Sequence, residues 1–217
     1  MADRDSRAGT RYYDPAILDY VEKVHATHDA GLEGAFTSPD RDKMPAIQVG
    51  KSEGRLLELL IRLVGARRAV EIGTLAGYSA IRIARALPEG GRLWTIEVMP
   101  EHAEVARRNI AAAGLAGKIQ VVLGDAMAVL PQLEEHGPFD AVFIDADKER
   151  YDQYGRWAAR ALRPGGLVVG DNAFLFGNLL EDTPAGLAMR RFHEETAAAF
   201  DSVCVPTPDG LLVGLKR

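Results

Sequence analysis

The sequence has a single cysteine, no long apolar run and no excess of positive charge. Cys204 has no partner for an internal disulfide, and no Cys/His group has the spacing of a zinc site. No uninterrupted apolar stretch approaches the length that spans a membrane. The first residues, MADRDSRAGTRYYD, are charged from residue 3 and lack the apolar core of a signal peptide. These absences favour a cytoplasmic location over a secreted or membrane-bound one.

The charge balance is acidic. The 217 residues include 31 Asp or Glu and 26 Lys or Arg, for a net charge of −5. A protein that binds nucleic acid over a broad surface needs basic side chains to neutralise phosphates, so this composition argues against one. One local basic cluster leaves room for a small anionic patch: Lys51, Arg55, Arg62, Arg67 and Arg68.

The first 50 residues differ from the rest of the chain. Residues 16–28 place apolar side chains at helical spacing. Residues 29–50 contain several turn formers and charges, which predict a loop. The next segment, SEGRLLELLIRLV, predicts an amphipathic helix with Ser52 as its N-cap. We therefore predict one domain over residues 1–217, with 1–50 as an N-terminal helix and lid or loop extension.

From residue 69 onward, short apolar runs alternate with helical segments. The predicted strands are 69–72, 92–96, 119–123, 140–144 and 166–169. The predicted helices between them are 78–87, 100–113, 126–134 and 151–162, with a further one over 184–198. This alternation predicts an α/β fold with a parallel sheet covered on both faces. The segments 202–205 and 211–215 flank PTPDG and predict a final hairpin.

The first predicted strand ends in a glycine-containing turn. Gly73 and Gly77 are separated by three residues, so the G-x-G-x-x-G fingerprint of dinucleotide-binding proteins is absent. That absence argues against a nicotinamide or flavin enzyme. Glycine lets the backbone approach a ligand closely. A tight turn from strand to helix is the alternative interpretation.

Acidic residues follow the next two strands. Ligands of open α/β sheets bind outside the carboxyl ends of the strands. Glu97 ends the second strand, where a carboxylate can accept both hydroxyls of a ribose; an exposed glutamate before a helix is the alternative. Asp125 follows the third strand, where it could accept from an adenine amino group, although GDA is also typical of a helix N-cap.

The fourth and fifth strands end in Asp145 and in the pair Asp171 and Asn172. Sequential strands joined by a helix are often neighbours, so these side chains are predicted to converge. Their oxygen atoms suit Mg²⁺ or Ca²⁺ better than zinc. Local turn capping by the same residues is the alternative.

Lys148 lies three residues beyond Asp145. It could reach a substrate oxygen held by a metal, and a neighbouring divalent cation would favour its neutral, basic form. A solvated surface lysine is the alternative. Tyr151, Tyr154 and Trp157 recur at helical spacing, and we interpret them as packing residues.

Three segments together resemble a known family. They are VEIGTLAGYSAIRIARALPEGGRLWTIE, FDAVFIDADKERYDQY and LRPGGLVVGDN. The combination is similar to the cation-dependent O-methyltransferases, the group of catechol and caffeoyl-coenzyme A O-methyltransferases, over residues 45–217. The resemblance implies a class I methyltransferase (Rossmann-like) fold. That fold has a seven-stranded, mostly parallel sheet with one antiparallel C-terminal strand and helices on both faces.

The resemblance also implies a cofactor, a metal and their binding residues. The cofactor is S-adenosylmethionine (SAM), and the metal is a divalent cation, Mg²⁺ first, with Ca²⁺ or Mn²⁺ as alternatives. Lys148 matches the general base, and the metal ligands match Asp145, Asp171 and Asn172. The implied cofactor-binding residues are Val49, Glu71, Gly73, Tyr78, Ser79, Glu97, Asp125, Ala126 and Asp145.

The implied acceptor is a small phenol with two adjacent hydroxyls. Relatives often carry a tryptophan shortly after the Asp-Asn pair; here Leu175 stands there between Phe174 and Phe176, and Ile47 replaces a common methionine. Two alternatives remain open: a tRNA hydroxyuridine O-methyltransferase of the same family, and a non-catalytic SAM-binding protein. A homodimer is expected from the relatives, and no membrane partner is expected.

Overall fold

A seven-stranded sheet runs through the centre of the structure. The structure is a computed structural model, and it describes residues 14–217. The strands are β1 Arg68–Ile72, β2 Arg92–Glu97, β3 Ile119–Leu123, β4 Phe139–Ile144, β5 Leu162–Gly170, β6 Phe200–Val205 and β7 Leu211–Lys216. Their order in the sheet is β3-β2-β1-β4-β5-β7-β6. The first five strands pair in parallel, and β7 is antiparallel to both β5 and β6. The predicted sheet with one antiparallel C-terminal strand is confirmed.

Eight α-helices belong to the described part of the chain. They are α1 Pro15–His25, α2 Ala30–Asp42, α3 Lys51–Leu63, α4 Tyr78–Ala86, α5 Pro100–Ala112, α6 Ala126–Leu133, α7 Tyr151–Ala161 and α8 Pro184–Ala199. Three single 3₁₀ turns add to them: Glu134–His136, Lys148–Arg150 and Leu175–Gly177. Among residues 14–217, no helix has the length and apolar content needed to cross a membrane.

The two faces of the sheet bury separate cores because side chains alternate along each strand. In β1, Ala69 packs with α2 to α5 on one face, whereas Val70 and Ile72 pack with α6 to α8 on the other. The first core contains Leu57 of α3 and the second contains Phe192 of α8. Helices therefore cover both faces, as the alternation predicted.

The predicted loop over residues 29–50 is wrong for most of its length. Residues 30–42 form α2, which Asp29 caps by accepting a hydrogen bond from the Leu32 amide at 3.0 Å. Leu32 and Ala35 are fully buried against the first core. Their burial outweighs the weak helix propensity of the glycines and of Pro39.

The predicted N-cap of α3 is also wrong. The helix begins at Lys51, so Gly50 is the N-cap. Glu53, three residues further, accepts from the Gly50 amide at 3.0 Å. Ser52 lies inside the first turn, and its hydroxyl donates instead to the Glu22 carboxylate of α1 at 3.2 Å.

The sheet order reverses between β1 and β4, since the chain moves outward through β2 and β3 and returns to start β4 beside β1. Crevices at such a switch point are where open α/β sheets bind ligands. The ends of the neighbouring strands are tied together there, because the Asp145 amide donates to Ile72 and the Asp171 amide donates to Ile144. The fold thus brings the residues that follow β1, β4 and β5 to one edge.

Candidate active site

A cavity of about 890 Å³ opens at the carboxyl ends of β1 to β4. Its volume suits a cofactor together with a small substrate. Most of the residues predicted for the site line it: Val49, Gly73, Tyr78, Ser79, Glu97, Asp125, Ala126, Asp145, Lys148 and Asn172. Glu71 and Asp171 are buried beside the cavity rather than in its lining.

The loop after β1 forms the floor of the cavity. Gly73 has a φ of 97°, and a Cβ there would lie 1.9 Å from the Asp145 carbonyl oxygen. Only glycine therefore lets the end of β1 touch the end of β4. Glu97 holds the same loop by accepting from the Thr74 amide at 3.3 Å and the Leu75 amide at 2.8 Å. The Glu97 carboxylate faces the cavity, where it can also accept from ligand hydroxyls.

Glu71 supports this loop from beneath. Thr95 donates to Glu71 Oε2 at 2.6 Å, and the Thr74 hydroxyl lies 2.6 Å from that of Thr95. A chain of hydrogen bonds thus runs from Thr74 through Thr95 to Glu71. Complete burial raises the pKa of Glu71 to about 8, and the charges of Asp145 and Glu97 act in the same direction.

The N-terminal helices supply one wall. Val49 is buried just before α3 and lines the cavity next to Ile47, which is 71% exposed. Tyr78 lines the cavity at the start of α4. Its hydroxyl lies 2.9 Å from His28 Nε2 and accepts from Arg82 Nε at 3.3 Å, so it joins the segment before α2 to α4. The Tyr78 hydroxyl is therefore hydrogen-bonded within the protein. The neighbouring Ser79 is a polar residue that lines the cavity.

Asp125 is the N-cap of α6, one of the two roles that the sequence left open, and its contact with adenine stays a prediction. Its Oδ1 accepts from the Met127 amide at 2.9 Å and caps α6. Its Oδ2 accepts from Arg150 Nη1 at 2.7 Å, and this hydrogen bond lowers the pKa of Asp125. Ala126 and Arg150 line the cavity beside it. Arg150 borders this end of the cavity, and its contact with Asp125 could not be predicted from the sequence.

Acidic side chains converge at the other end. Asp145 follows β4, and Asp171 and Asn172 follow β5. Burial of Asp171, together with the Asp145 charge, raises the pKa of Asp171 to about 7. Asn172 has a φ of 53°, a left-handed conformation that asparagine tolerates better than most residues. The fold brings Asp145 close enough to Asp171 for their charges to interact, and it places Asp145 and Asn172 in the lining of one cavity.

Lys148 contacts this acidic group. Its Nζ donates to Asp145 Oδ1 at 3.0 Å and to the Tyr151 hydroxyl at 2.9 Å. The Tyr151 hydroxyl also lies within 3.1 Å of the Ile144 carbonyl and 2.9 Å of the Asp171 carbonyl. The ring of Tyr151 is buried against Phe192, as a packing residue is expected to be. Its hydroxyl is a site contact that the helical spacing did not reveal.

The residues present fit both implied groups. The Oε1 atom of Glu71 is buried and has no hydrogen-bond partner among the described residues. Above it, the loop at Gly73 lies so close to the Asp145 carbonyl that only glycine fits. Two carboxylates and an amide offer oxygen ligands alone, and a cation beside them would offset the burial of Asp171 and the charge of Asp145, which raise the pKa of Asp171. Within residues 14–217, no three His, Cys, Asp or Glu side chains converge to hold a metal ion. The candidate ligands include only two carboxylates, Asp145 and Asp171, and the third is the amide of Asn172.

Comparisons with known proteins agree with the fold. A family model described as O-methyltransferase matches residues 29–216. A catechol O-methyltransferase from Niastella koreensis is 46% identical over 183 residues, which cover 82% of this chain and 83% of that protein. A catechol O-methyltransferase from Mycobacterium tuberculosis is 41% identical over 179 residues, covering 82% of this chain and 81% of the relative.

Solved structures give the same result. The O-methyltransferase TomG from Streptomyces achromogenes, involved in tomaymycin synthesis and solved with SAM, superposes with a TM-score of 0.86 at 39% identity, covering 93% of this chain and 96% of that one. An O-methyltransferase from Bacillus cereus, solved with SAH, gives 0.87 at 36% identity, covering 93% and 97%. The chain therefore belongs to the O-methyltransferase family, as its three motifs predicted.

Proposed function

We propose that this chain transfers a methyl group from SAM to one hydroxyl of a small phenol with two adjacent hydroxyls, in a reaction that needs a divalent cation. The convergence of Asp145, Lys148 and Asn172 at one end of a cavity carries the proposal. Glu97 and Asp125 line the opposite end of the same cavity. Support also comes from the relatives: two are named catechol O-methyltransferase, and two solved neighbours hold SAM or SAH.

The end of the cavity at β1 to β3 suits the cofactor. When bound, SAM supplies a methyl group on a sulfonium sulfur. Glu97 would accept from the ribose hydroxyls, and Asp125 with Ala126 would lie beside the adenine. The loop from Gly73 would hold the methionine end, with Glu71 and Ser79 nearby. The positive charge of this ligand suits a cavity lined by the carboxylates of Glu97 and Asp145.

The end at β4 and β5 suits the acceptor. Asp145, Asp171 and Asn172 would hold the cation through oxygen atoms, and a bound divalent cation would supply a Lewis acid that lowers the pKa of an acceptor hydroxyl. Lys148 takes the proton from that hydroxyl at Nζ. Asp145 and Tyr151 hold the Lys148 side chain in place at 3.0 and 2.9 Å. Much of the rate gain comes from fixing the two reactants in line.

The basic cluster predicted from the sequence does not favour the RNA alternative. Arg55 and Arg62 bond to the buried Glu58 at 2.6 and 3.1 Å. Arg67 and Arg68 stand at the start of β1, the end of that strand opposite the cavity. The cluster therefore divides between an ion-pair network and the far edge of the sheet, and forms no basic track to the site.

Alanine variants of the two carboxylates test the proposal. We expect Asp171→Ala and Asp145→Ala to lose at least about 100-fold in methyl transfer to a catechol, since a Lewis acid contributes several kcal/mol. SAM affinity measured by calorimetry should change less than about threefold in Asp171→Ala. Asp182→Ala, whose side chain is 90% exposed, is the control. Normal turnover in either site variant contradicts the assignment.

A further inference from the structure

The segment after Asp171 contains an unusual concentration of left-handed backbone. Asn172, Leu175 and Phe176 have φ values of 53°, 52° and 53°. Leucine and phenylalanine rarely adopt this conformation, which costs free energy and persists only where surrounding contacts impose it. The segment starts at a candidate metal ligand and leads to Phe176, which lines the cavity and is 67% exposed. Something must therefore hold residues 172–177 in place.

The turn between β6 and β7, residues 206–210, provides these contacts. The Ala173 amide donates to the Gly210 carbonyl at 2.9 Å, and the Phe174 amide donates to the Asp209 carbonyl at 2.9 Å. The Phe176 amide donates to Asp209 Oδ1 at 2.8 Å. The bond to Phe176 is made directly to a residue with left-handed backbone, and it is the one of the three whose acceptor is a side chain.

Packing fixes the turn against the same segment. Gly210 has a φ of 77°, and a Cβ there would lie 2.7 Å from the Phe174 ring. The turn thus meets the segment with no space for a side chain. The packing and the three hydrogen bonds together hold the segment against the turn.

The other oxygen of Asp209 is unusual for a purely structural residue. Asp209 Oδ2 is buried and has no hydrogen-bond partner within the described part of the chain. A buried acceptor without a partner costs free energy, so such groups are expected where function rather than stability places them. The function we assign to Asp209 is the hydrogen bond that its other oxygen, Oδ1, accepts from the Phe176 amide.

We propose that Asp209 is a positioning residue that determines acceptor specificity by holding Phe176 at the rim of the cavity. The inference rests on the proposed function, because the acceptor is taken to bind beside Asn172 and Lys148. The exposed ring of Phe176 stands at the same end of the cavity and fits a flat aromatic acceptor. Asp209 itself lies outside the cavity lining, so it acts through Phe176 and does not touch the substrate.

Kinetics of Asp209→Ala and Asp209→Asn test this role. The alanine variant loses the acceptor for the Phe176 amide, and we expect KM for a catechol to rise about five- to tenfold, the value of one hydrogen bond. The ratio of the two possible monomethylated products should shift, while SAM affinity and kcat change less than about threefold. Asp209→Asn keeps a side-chain oxygen and should restore most of the wild-type KM. Asp201→Ala, an exposed residue of the same hairpin that pairs with Arg217, is the control.

Hydrogen exchange of the ligand-free protein gives a second readout that needs no reaction. We expect Asp209→Ala to accelerate exchange of the amides of residues 173–177 on the order of tenfold, with β5 unchanged. Asp209→Ser serves the same purpose if Asp209→Ala does not fold. If the wild-type protein methylates no catechol, the proposed function fails, and exchange alone decides whether Asp209 holds the segment. Unchanged exchange there, or unchanged KM and product ratio in an active Asp209→Ala enzyme, overturns the proposal.

Discussion

The Tyr151 hydroxyl occupies the junction between the proposed base and the proposed metal ligands. It accepts from Lys148 and lies within hydrogen-bonding distance of the Ile144 and Asp171 carbonyl oxygens. A hydroxyl has one proton, so Tyr151 donates to one of these carbonyls at a time. It thus ties the ends of β4 and β5 to Lys148, and the position of the base depends on a residue outside the cavity lining.

Removing this hydroxyl should slow the chemistry without weakening cofactor binding. We expect Tyr151→Phe to lower kcat about tenfold, because Lys148 loses one of its two hydrogen bonds, with KM for SAM within about twofold of wild type. Steady-state kinetics with a catechol measures both. Tyr154→Phe is the matched control, since the Tyr154 hydroxyl donates to Asp147 and does not contact Lys148. Equal kcat values in Tyr151→Phe and wild type would show that the hydroxyl does not position Lys148.

Glu71 should make the stability of the ligand-free protein depend on pH. Its pKa is raised from 4.5 to about 8, so between these values the folded protein keeps a proton that the unfolded chain releases. The free energy of unfolding therefore has a contribution from Glu71 that is complete below about pH 4.5 and declines by about 1.4 kcal/mol per pH unit up to about pH 8.

Glu71→Gln removes this contribution, because the amide does not titrate. Denaturation by urea at pH 5, 6.5 and 8 should show the variant gaining stability relative to wild type as the pH rises. A constant difference between the two proteins across that range would contradict a raised pKa for Glu71.

At the scale of elements, the contact between the β1 loop and the end of β4 is the tightest in the site. Gly73→Ala would place a Cβ 1.9 Å from the Asp145 carbonyl, so the two strand ends must separate. We expect SAM affinity to fall at least about tenfold and the melting temperature to drop. Gly114→Ala is the matched control: its φ is also positive, at 73°, but nothing lies within 4 Å of the added Cβ. Unaltered SAM binding by Gly73→Ala would remove this loop from the cofactor site.

The sequence predicted the elements that follow from periodicity and missed those that depend on tertiary contacts. The strands and most helices agree within a few residues, because the central strands are short, almost continuously buried apolar runs and the helices repeat apolar residues at helical spacing. The helix α2 was missed since its glycines and Pro39 are typical of turns, and only burial of Leu32 and Ala35 outweighs them.

The same limit applies to the site. Residues at strand ends could be predicted, because topology alone brings Glu97, Asp145 and Asp171 to one edge of the sheet. The hydroxyl of Tyr151 and the carboxylate of Asp209 could not, because both reach the site through contacts between elements distant in sequence.

At the scale of the whole molecule, charge separates the small-molecule and RNA alternatives. The net charge of −5 argues against an RNA acceptor, and within residues 14–217 the ion pairs of Arg55 and Arg62 with Glu58 argue the same way. We expect filter binding with bulk tRNA to show a Kd weaker than roughly 100 µM near physiological salt, with little salt dependence. Micromolar binding with a steep salt slope would favour an RNA acceptor. The homodimer and the cytoplasmic location stay predictions.

We propose that this chain is a metal-dependent enzyme acting on a catechol-like acceptor. The most direct measurement is methyl transfer from labelled SAM to caffeic acid, with Mg²⁺, with EDTA, and with Mg²⁺ restored after EDTA. We expect transfer with Mg²⁺, a loss of at least about 100-fold with EDTA, and recovery when Mg²⁺ returns, while SAM binding persists throughout. Equal transfer in EDTA would contradict the role given to Asp145, Asp171 and Asn172, and no transfer with SAM bound would contradict the catechol acceptor.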